Sequence, residues 1–394
     1  MKNFEYYTPT KVVFGKGTEN EVGKLILQET KDACVLVHYG SGSVKLTGLL
    51  DRICKSLDDA GIKYVTLGGV VPNPRLSKVY EGIELCKKEG INFILAVGGG
   101  SVIDSSKAIG YGVANEGDVW DFYDYKRVPE ACLPIATVLT IAAAGSEMSD
   151  SSVITKEEGW IKRGVSADCS RCRFAIMNPE LTMTLPDYQT SSGEVDIIMH
   201  TLERYLGQGK NMNITDEISE GLIRTVIKNA KILVKDPSNY DARAEIMWAG
   251  SLSHNGLTGC GVESMDWASH QLEHELGGMF DVAHGAGLAA VWPTWARYVV
   301  DANPARFAQL ADKVFGISDK GSDMANALAG IDAMEQVFRD INMPVTLTEL
   351  GLKDLTDEQI DELAEKCSFG QTRTIGGVKA LNKADMINIY TKAR

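Results

Sequence analysis

Short apolar runs alternate with amphipathic helical patterns between residues 32 and 178, and after Leu185-Pro186-Asp187 almost only helical patterns continue. The apolar runs predict buried strands, and strands separated by helices favour right-handed crossovers and a parallel sheet. At 394 residues the chain is also longer than one typical core requires. We therefore predict an α/β nucleotide-binding domain with a parallel sheet in residues 1–186, followed by an all-α domain in residues 187–394.

The individual elements follow from the same periodicities. Strands are expected at residues 33–39, 64–67, 93–97, 133–139 and 174–177, with helices at 44–60 and 76–88. Residues 7–15 are predicted to form an extended segment at the edge of the sheet. In the second half, helices are expected at residues 194–205, 216–234, 242–255, 267–275, 304–314, 324–341 and 357–367.

Composition excludes several classes of partner. The net charge of −13 disfavours nucleic-acid binding, which normally needs a basic face. No run of about 18 apolar residues is present to span a membrane, and the first residues lack the apolar core of a signal peptide. Eight cysteines are too sparse for a disulfide framework. We expect a cytoplasmic protein.

Histidine is scarce, and most of it falls in one pattern with an aspartate. Asp196 and His200 are four residues apart, as are His270 and His274, and His284 follows ten residues later. Residues four apart share a helix face, so each pair can direct two side chains at one point. A carboxylate with two or three imidazoles suits Fe²⁺ or Zn²⁺, and without thiolates also Mn²⁺ or Ni²⁺. The alternative is a set of unrelated histidines, and spacing alone does not choose between His270 and His274.

A tri-glycine segment, Gly98-Gly99-Gly100, lies between a predicted strand and a predicted helix. Glycines let the backbone approach an anion closely, and the start of a helix favours phosphate. Ser101 can add a hydroxyl or cap the helix, and Asp104 can complete a capping box or contact a ribose. The alternative is a turn that only packs against a neighbouring strand. The segment also differs from the usual G-x-G-x-x-G fingerprint.

The turn after the first buried strand bears on the choice of cofactor. It contains Gly40, Ser41 and Ser43 and no acidic residue, and Lys45 follows. NAD-specific folds usually place a carboxylate against the ribose hydroxyls, where it would repel a 2′-phosphate. The turn therefore favours NADP(H), with NAD(H) as the alternative.

Together these segments resemble the iron-containing (group III) alcohol dehydrogenase family over nearly the full chain. The similar segments are residues 9–15, 72–74, 98–104 with Lys107, 145–147, 178–181, 193–200 and 270–285. Residues 39–45 and 266–276 are most similar to the butanol dehydrogenase-like branch. The resemblance implies a dehydroquinate synthase-like architecture, in which the helical domain binds the metal, and a homodimer. Ala144 departs from the family, whose members commonly carry threonine there, so no contact is assigned to it.

The resemblance also implies roles for individual residues. It implies that Asp196, His200, His270 and His284 are the metal ligands, and that His274 lies close to the nicotinamide without binding the metal. There His274 would relay the hydroxyl proton as a catalytic residue; alternatively it only packs beside the site. Cofactor contacts are implied at Asn73, Gly98, Gly99, Gly100, Ser101, Asp104, Thr140, Lys162 and Leu181.

The function that the resemblance implies is interconversion of a primary, butanol-like alcohol and its aldehyde, in which a hydride passes between the alcohol carbon and the nicotinamide. The metal would act as a Lewis acid in the cleft between the two domains. One alternative is a metal-dependent hydrolase or lyase whose glycine loop holds a substrate phosphate. Another is a non-catalytic protein that binds a nucleotide or a metal.

Overall fold

The structure is a computed structural model that describes residues 1–394. The chain forms two compact units. Residues Tyr7–Leu185 make up the first, called here the α/β unit, and Pro186–Arg394 with Met1–Tyr6 make up the second, called the helical unit. The assignment of cofactor binding to residues 1–186 and of metal binding to residues 187–394 stays a prediction.

The α/β unit is built on a parallel sheet. Its strands are β1 (Lys11–Phe14), β2 (Cys34–Gly40), β3 (Lys63–Val70), β4 (Phe93–Gly98), β5 (Ile135–Leu139), β6 (Ser151–Lys156), β7 (Ile161–Ser166) and β8 (Phe174–Met177). Six of them form one sheet in the order β1-β8-β5-β4-β2-β3, in which every neighbouring pair is parallel. Every residue of β4, β5 and β8 is buried, as in a parallel sheet covered on both faces.

Two helices of this unit, at residues 22–29 and 120–123, were not predicted, and one predicted helix is divided in two. The helices are α1 (Val22–Glu29), α2 (Ser43–Leu46), α3 (Leu49–Asp59), α4 (Leu76–Glu89), α5 (Gly100–Ala114) and α6 (Trp120–Tyr123). The single helix predicted for residues 44–60 is instead α2 and α3, because Gly48 takes a left-handed conformation with φ of 67°. The antiparallel hairpin β6–β7 is also not apparent from the sequence, since both strands are largely polar.

The helical unit contains α7 (Asp187–Tyr205), α8 (Asn213–Leu233), α9 (Tyr240–His254), α10 (Ala268–Phe280), α11 (His284–Val299), α12 (Pro304–Phe315), α13 (Asp323–Asp340), α14 (Asp357–Cys367) and α15 (Lys383–Ala393). All residues of α7 from 190 to 205 are buried, and it packs against α8, α9 and α11. None of the helices has the length and apolarity needed to cross a membrane. The predicted fold class, a parallel α/β unit followed by a helical one, is confirmed.

In the helical unit, α11 and α15 were also not expected from the sequence. In α11 the helical periodicity is masked by Gly285, Gly287 and Pro293, which are unfavourable inside helices. Burial compensates, since Trp292 and Trp295 are fully enclosed in this helix. The element matters because its first residue is His284.

Candidate active site

Asp196 and His200 lie one turn apart on α7, which is buried along most of its length. Only 3% of Asp196 and 4% of His200 is exposed. Nδ1 of His200 lies 3.2 Å from Oδ1 of Asp196. The four-residue spacing therefore brings both side chains to one point, as predicted.

His270 and His284 reach the same point from two further helices. His270 lies in α10, and His284 begins α11. Their Nε2 atoms lie 3.6 Å and 3.7 Å from Oδ1 of Asp196. Donor atoms of Asp196, His270 and His284 all lie within 4.8 Å of one another. The ring of His200 lies beside them, with its centroid 4.5 Å from that of His270.

The chemistry of this cluster fits a divalent cation. Oδ1 of Asp196, Nδ1 of His200 and Nε2 of His270 are buried and have no hydrogen-bond partner. Buried polar atoms are normally paired, so such convergent atoms need another partner. Oδ1 of Asp196 lies 3.2 Å from Nδ1 of His200 and 3.6 Å from Nε2 of His270. Such separations are expected between donor atoms that each lie about 2.0–2.2 Å from one shared first-row metal. One carboxylate and imidazoles without a thiolate match Fe²⁺ or Zn²⁺.

Two buried glutamates orient the imidazoles. Glu203 hydrogen-bonds Nδ1 of His270 and also accepts a bond from its main-chain N at 3.1 Å. Glu273 hydrogen-bonds Nδ1 of His284. With the Nδ1 proton donated to a carboxylate, Nε2 of each ring is left as a lone-pair donor, which is the usual arrangement of metal-binding histidines. Glycine at position 287 leaves room for the Glu273 side chain, because a Cβ there would lie 2.8 Å from Cγ of Glu273.

The charges around the cluster give its histidines different pKa values. Burial lowers the pKa of His270, but the charge of Glu203 and then Asp196 outweigh burial and raise it to about 9. For His200, burial is the largest cause and nearby His254 the next, and they hold the pKa well below its ordinary value. Without a metal, these surroundings favour the protonated form of His270 and the neutral form of His200, so a cation competes with a proton at His270.

His274 lies beside the cluster but outside it. It is half-buried, one turn after His270, and its ring centroid is 6.4 Å from that of His270 and 5.8 Å from that of His284. A second group of possible donors combines His274 with Glu273 and His284. In that group Glu273 and Nδ1 of His284 are bonded to each other, and Nε2 of His284 is the nitrogen that also faces Asp196.

Two neighbours of His200 carry no obvious signal in the sequence. The ring of His254 lies 4.0 Å from that of His200, and Trp267 lies 6.1 Å from it. Trp267 has φ of 60°, which is strained for a bulky residue, and such strain concentrates at functional sites. His254 has no histidine or carboxylate partner at helical spacing, so only its rarity as a residue type could have drawn attention to it.

In the α/β unit, the tri-glycine segment joins β4 to α5. α5 begins at Gly100 without a side-chain cap. A Cβ at Gly98 would lie 2.8 Å from Cβ of Val102, and one at Gly99 would overlap Ile141. Close packing therefore requires glycine at Gly98 and Gly99. The same backbone leads into the first turn of α5, where N–H groups lack intrahelical partners and favour an anion.

Asp104 and Lys107 hold the neighbouring loop in place. Asp104 accepts hydrogen bonds from the Ser146 hydroxyl and, at 2.9 Å, from the main-chain N of Val153. Nζ of the fully buried Lys107 donates to the carbonyl oxygens of Ser146, Ser149 and Ser151. Asp104 thus links α5 to β6. The capping box that was one predicted role of Asp104 is not formed.

Several predicted cofactor contacts follow neighbouring strands of the sheet. Gly40 ends β2, Gly98 ends β4 and Thr140 follows β5. In register, Tyr39 pairs with Val97, and Gly98 with Leu139. Carboxyl ends of parallel strands meet at one edge of a sheet, where α/β folds bind nucleotides.

The other predicted contacts lie on different elements. Ser41 is exposed in the turn after β2, and Ser43 is exposed as the first residue of α2. Asn73 follows β3 in a left-handed conformation with φ of 51°. Lys162 is a buried residue of β7. Leu181 belongs to a 3₁₀ helix, Pro179–Thr182, and packs against the apolar core of the sheet.

Comparison with known proteins identifies the family. Residues 9–179 match the model described as "Iron-containing alcohol dehydrogenase", and residues 190–394 match "Fe-containing alcohol dehydrogenase family, C-terminal". The chain belongs to the iron-containing alcohol dehydrogenase family. The family, predicted from sequence motifs, is thereby confirmed. Its butanol dehydrogenase-like branch is confirmed by relatives named butanol dehydrogenase that are 36–40% identical over the full chain.

Members of the iron-containing alcohol dehydrogenase family resemble the chain over most or all of its length. It is 40% identical to a probable NADH-dependent butanol dehydrogenase of Bacillus subtilis, with 99% of each chain covered. It is 37% identical to an NADPH-dependent aldehyde reductase of Escherichia coli, over 89% of this chain and 90% of that one. The crystal structure of NADH-dependent butanol dehydrogenase A from Thermotoga maritima superposes with a TM-score of 0.95 at 40% identity, covering 100% and 99% of the two chains.

The family fixes the class of reaction. This iron-type alcohol dehydrogenase is a metal-dependent oxidoreductase that interconverts alcohols and aldehydes with a nicotinamide cofactor. The dehydrogenase prediction is confirmed over the hydrolase or lyase alternative.

Proposed function

We propose that the enzyme interconverts primary alcohols and aldehydes at one divalent metal, Fe²⁺ or Zn²⁺, held by Asp196, His200, His270 and His284. The observation that carries the proposal is the convergence of Oδ1 of Asp196, Nδ1 of His200 and Nε2 of His270, which are buried without a hydrogen-bond partner, with Nε2 of His284 lying 3.7 Å from the same Asp196 oxygen. The hydrogen bonds of Glu203 and Glu273 support it, because they turn Nε2 of two imidazoles toward Asp196.

The residues around the proposed metal have different roles in binding the cation, orienting the imidazoles and moving the proton. When bound, the cation supplies Lewis-acid polarisation of the substrate oxygen, and the nicotinamide supplies or accepts the hydride. Asp196 is the single carboxylate among the proposed donors, so it offsets only part of a divalent charge. Glu203 and Glu273 keep the imidazoles fixed, so that they do not reorient during turnover. His274 is proposed to hold or relay the proton of the substrate hydroxyl.

For the cofactor, we propose that phosphate groups bind at the first turn of α5 and that the adenosine ribose lies against Gly40, Ser41 and Ser43. The absence of a carboxylate in that turn supports NADP(H) as the preferred cofactor. NAD(H) is the alternative, and relatives named for each cofactor are known.

The proposed substrates are short primary alcohols and their aldehydes, including butanol and butanal, since relatives are named for butanol and aldehydes. We also propose a homodimer. β1 is an edge strand of the sheet, and edge strands carry unpaired backbone groups that favour association. The cytoplasmic location stays a prediction.

The experiment is metal depletion and reloading. Exhaustive chelation should abolish aldehyde-dependent oxidation of the reduced nicotinamide, and Fe²⁺ or Zn²⁺ added singly should restore at least part of it. His200→Ala and His284→Ala should each lower metal content. Full turnover in demonstrably metal-free protein would contradict the proposal, and phosphate-ester hydrolysis without nicotinamide turnover would favour a hydrolase. A panel of aldehydes tested with both cofactors and each metal then defines the substrate range.

A further inference from the structure

The three imidazoles proposed as metal ligands are not held in the same way. Nδ1 of His270 is bonded to Glu203, and Nδ1 of His284 to Glu273. His200 instead packs against another imidazole, that of His254 at the end of α9. The two ring centroids lie 4.0 Å apart at an interplanar angle of 77°, a closer approach than the 4.5 Å between His200 and His270.

Arg204 holds His254 in this position. It lies one turn after His200 on α7, and its Nη1 donates to the carbonyl oxygens of His200 at 2.7 Å and Ser253 at 3.1 Å. Its Nη2 donates to Nδ1 of His254 at 3.5 Å. The guanidinium also lies 4.6 Å from the centre of the Trp267 ring, which in turn contacts His254 at 6.0 Å. Because these contacts join α7 to the end of α9, the His254 ring is fixed relative to the backbone of His200.

We propose that His254 is the positioning residue for His200. An edge-to-face ring contact restricts rotation of an imidazole about its side-chain bonds. Here it keeps Nδ1 of His200 directed at Oδ1 of Asp196, 3.2 Å away. His254 thus does by packing what Glu203 and Glu273 do by hydrogen bonding for the other two rings. The inference rests on the proposed metal centre, since it assigns His200 a ligand role.

Three variants of the full-length enzyme test this inference. His254→Ala removes the ring, His254→Phe keeps an aromatic ring against His200 but no nitrogen, and Trp248→Leu is a control on an exposed position of the same helix. Each protein is loaded with Zn²⁺, and the rate of zinc release to a chromogenic chelator is measured. Co²⁺-loaded samples provide a visible absorption spectrum that reports the ligand geometry. Urea unfolding of the metal-free proteins separates a general loss of stability from an effect at the metal.

Loss of the ring should weaken metal binding about 10–100-fold, as for other residues that orient metal ligands. We expect His254→Ala to release zinc faster by about that factor and to change the Co²⁺ spectrum. His254→Phe and Trp248→Leu should resemble the parent enzyme in both measurements. The effect of His254→Ala should exceed any change in metal-free stability.

Other results would overturn the inference. Zinc release at the parent rate from His254→Ala would show that the ring does not position His200. Equal release from the Ala and Phe variants would show that ring packing is not the cause. Loss of zinc in His254→Ala but not in His200→Ala would make His254 itself the ligand. A parent enzyme without stoichiometric zinc would instead refute the proposed metal centre, so the two failures are distinguishable.

Discussion

Glu203 accepts hydrogen bonds from both the side-chain Nδ1 and the main-chain N of His270. The second bond, at 3.1 Å, ties the first turn of α10 to α7. One fully buried carboxylate therefore fixes both the position of His270 and the ring nitrogen that faces Asp196.

Glu203→Gln should weaken metal binding about 10–100-fold, because the amide keeps the shape but loses the charge that holds the Nδ1 proton. The measurement is competition for Zn²⁺ against a chelator of known affinity. Glu220→Gln is the matched control, since Glu220 is equally buried in α8 but bonds Tyr205 and Gln309 instead of a histidine. Equal zinc affinity in the Glu203 variant and the parent would refute the role of this carboxylate.

His270 and His274 should respond differently to substitution. His270→Ala should lose metal, because its Nε2 lies 3.6 Å from Asp196 with no hydrogen-bond partner. His274→Ala should keep metal and lose about 10²–10⁴-fold in rate or change its pH dependence, as expected on removal of a general acid–base. Elemental analysis and turnover of the same samples provide the measurement. Metal lost only on changing His274 would reverse the assignment.

Local patterns in the sequence predicted much of the fold and part of the site. Strands β4 and β8 are continuous apolar runs, so their prediction was accurate to within a residue. The pair Asp196 and His200 was predictable because a helix places residues four apart on one face. α11 was not predicted because it contains glycines and a proline, which have low helix propensity, and burial stabilises the helix instead.

The supporting residues of the site were not predictable in the same way. Glu203 and His270 are 67 residues apart, and their contact depends on how α7 and α10 pack. His254 reaches His200 from a third helix, again through tertiary packing. The one available signal was that Glu203 follows Asp196 by seven residues, two turns along the same helix face.

Stability at acid pH should depend on His38, a buried residue outside the metal cluster. Its Nδ1–H donates to the carbonyl of Leu67 at 2.8 Å, and its Nε2 accepts from Ser105 at 2.9 Å. Burial is the main cause that lowers its pKa from 6.5 to about 4. Between these values the unfolded chain binds the proton and the folded chain does not. Stability is therefore complete above pH 6.5 and falls toward pH 4, by roughly 3 kcal/mol in total.

His38→Asn keeps a donor for Leu67 but cannot titrate. We expect it to be less stable than the parent at neutral pH, with the difference shrinking as the pH falls toward 4. Urea unfolding at a series of pH values measures this. Parallel stability curves for the two proteins would show that His38 is not responsible for the acid sensitivity.

Cofactor choice should respond to a carboxylate placed at position 40. Gly40 pairs with Val70 at the end of β2, and a Cβ there would meet only the carbonyl oxygen of Val70, at 3.6 Å. A side chain therefore fits without strain. Two like charges about 4 Å apart repel by about 1–4 kcal/mol, depending on their exposure to water.

We expect the parent enzyme to have the higher kcat/KM with NADPH, and Gly40→Asp to shift the ratio toward NADH by about tenfold or more, equivalent to about 1.4 kcal/mol. Gly40→Asn is the matched control, because it has the same size without the charge and should shift the ratio less. All proteins are compared with one aldehyde and both cofactors. A parent preference for NADH, or equal ratios in the Asp and Asn variants, would show that this turn does not contact the 2′ position of the ribose.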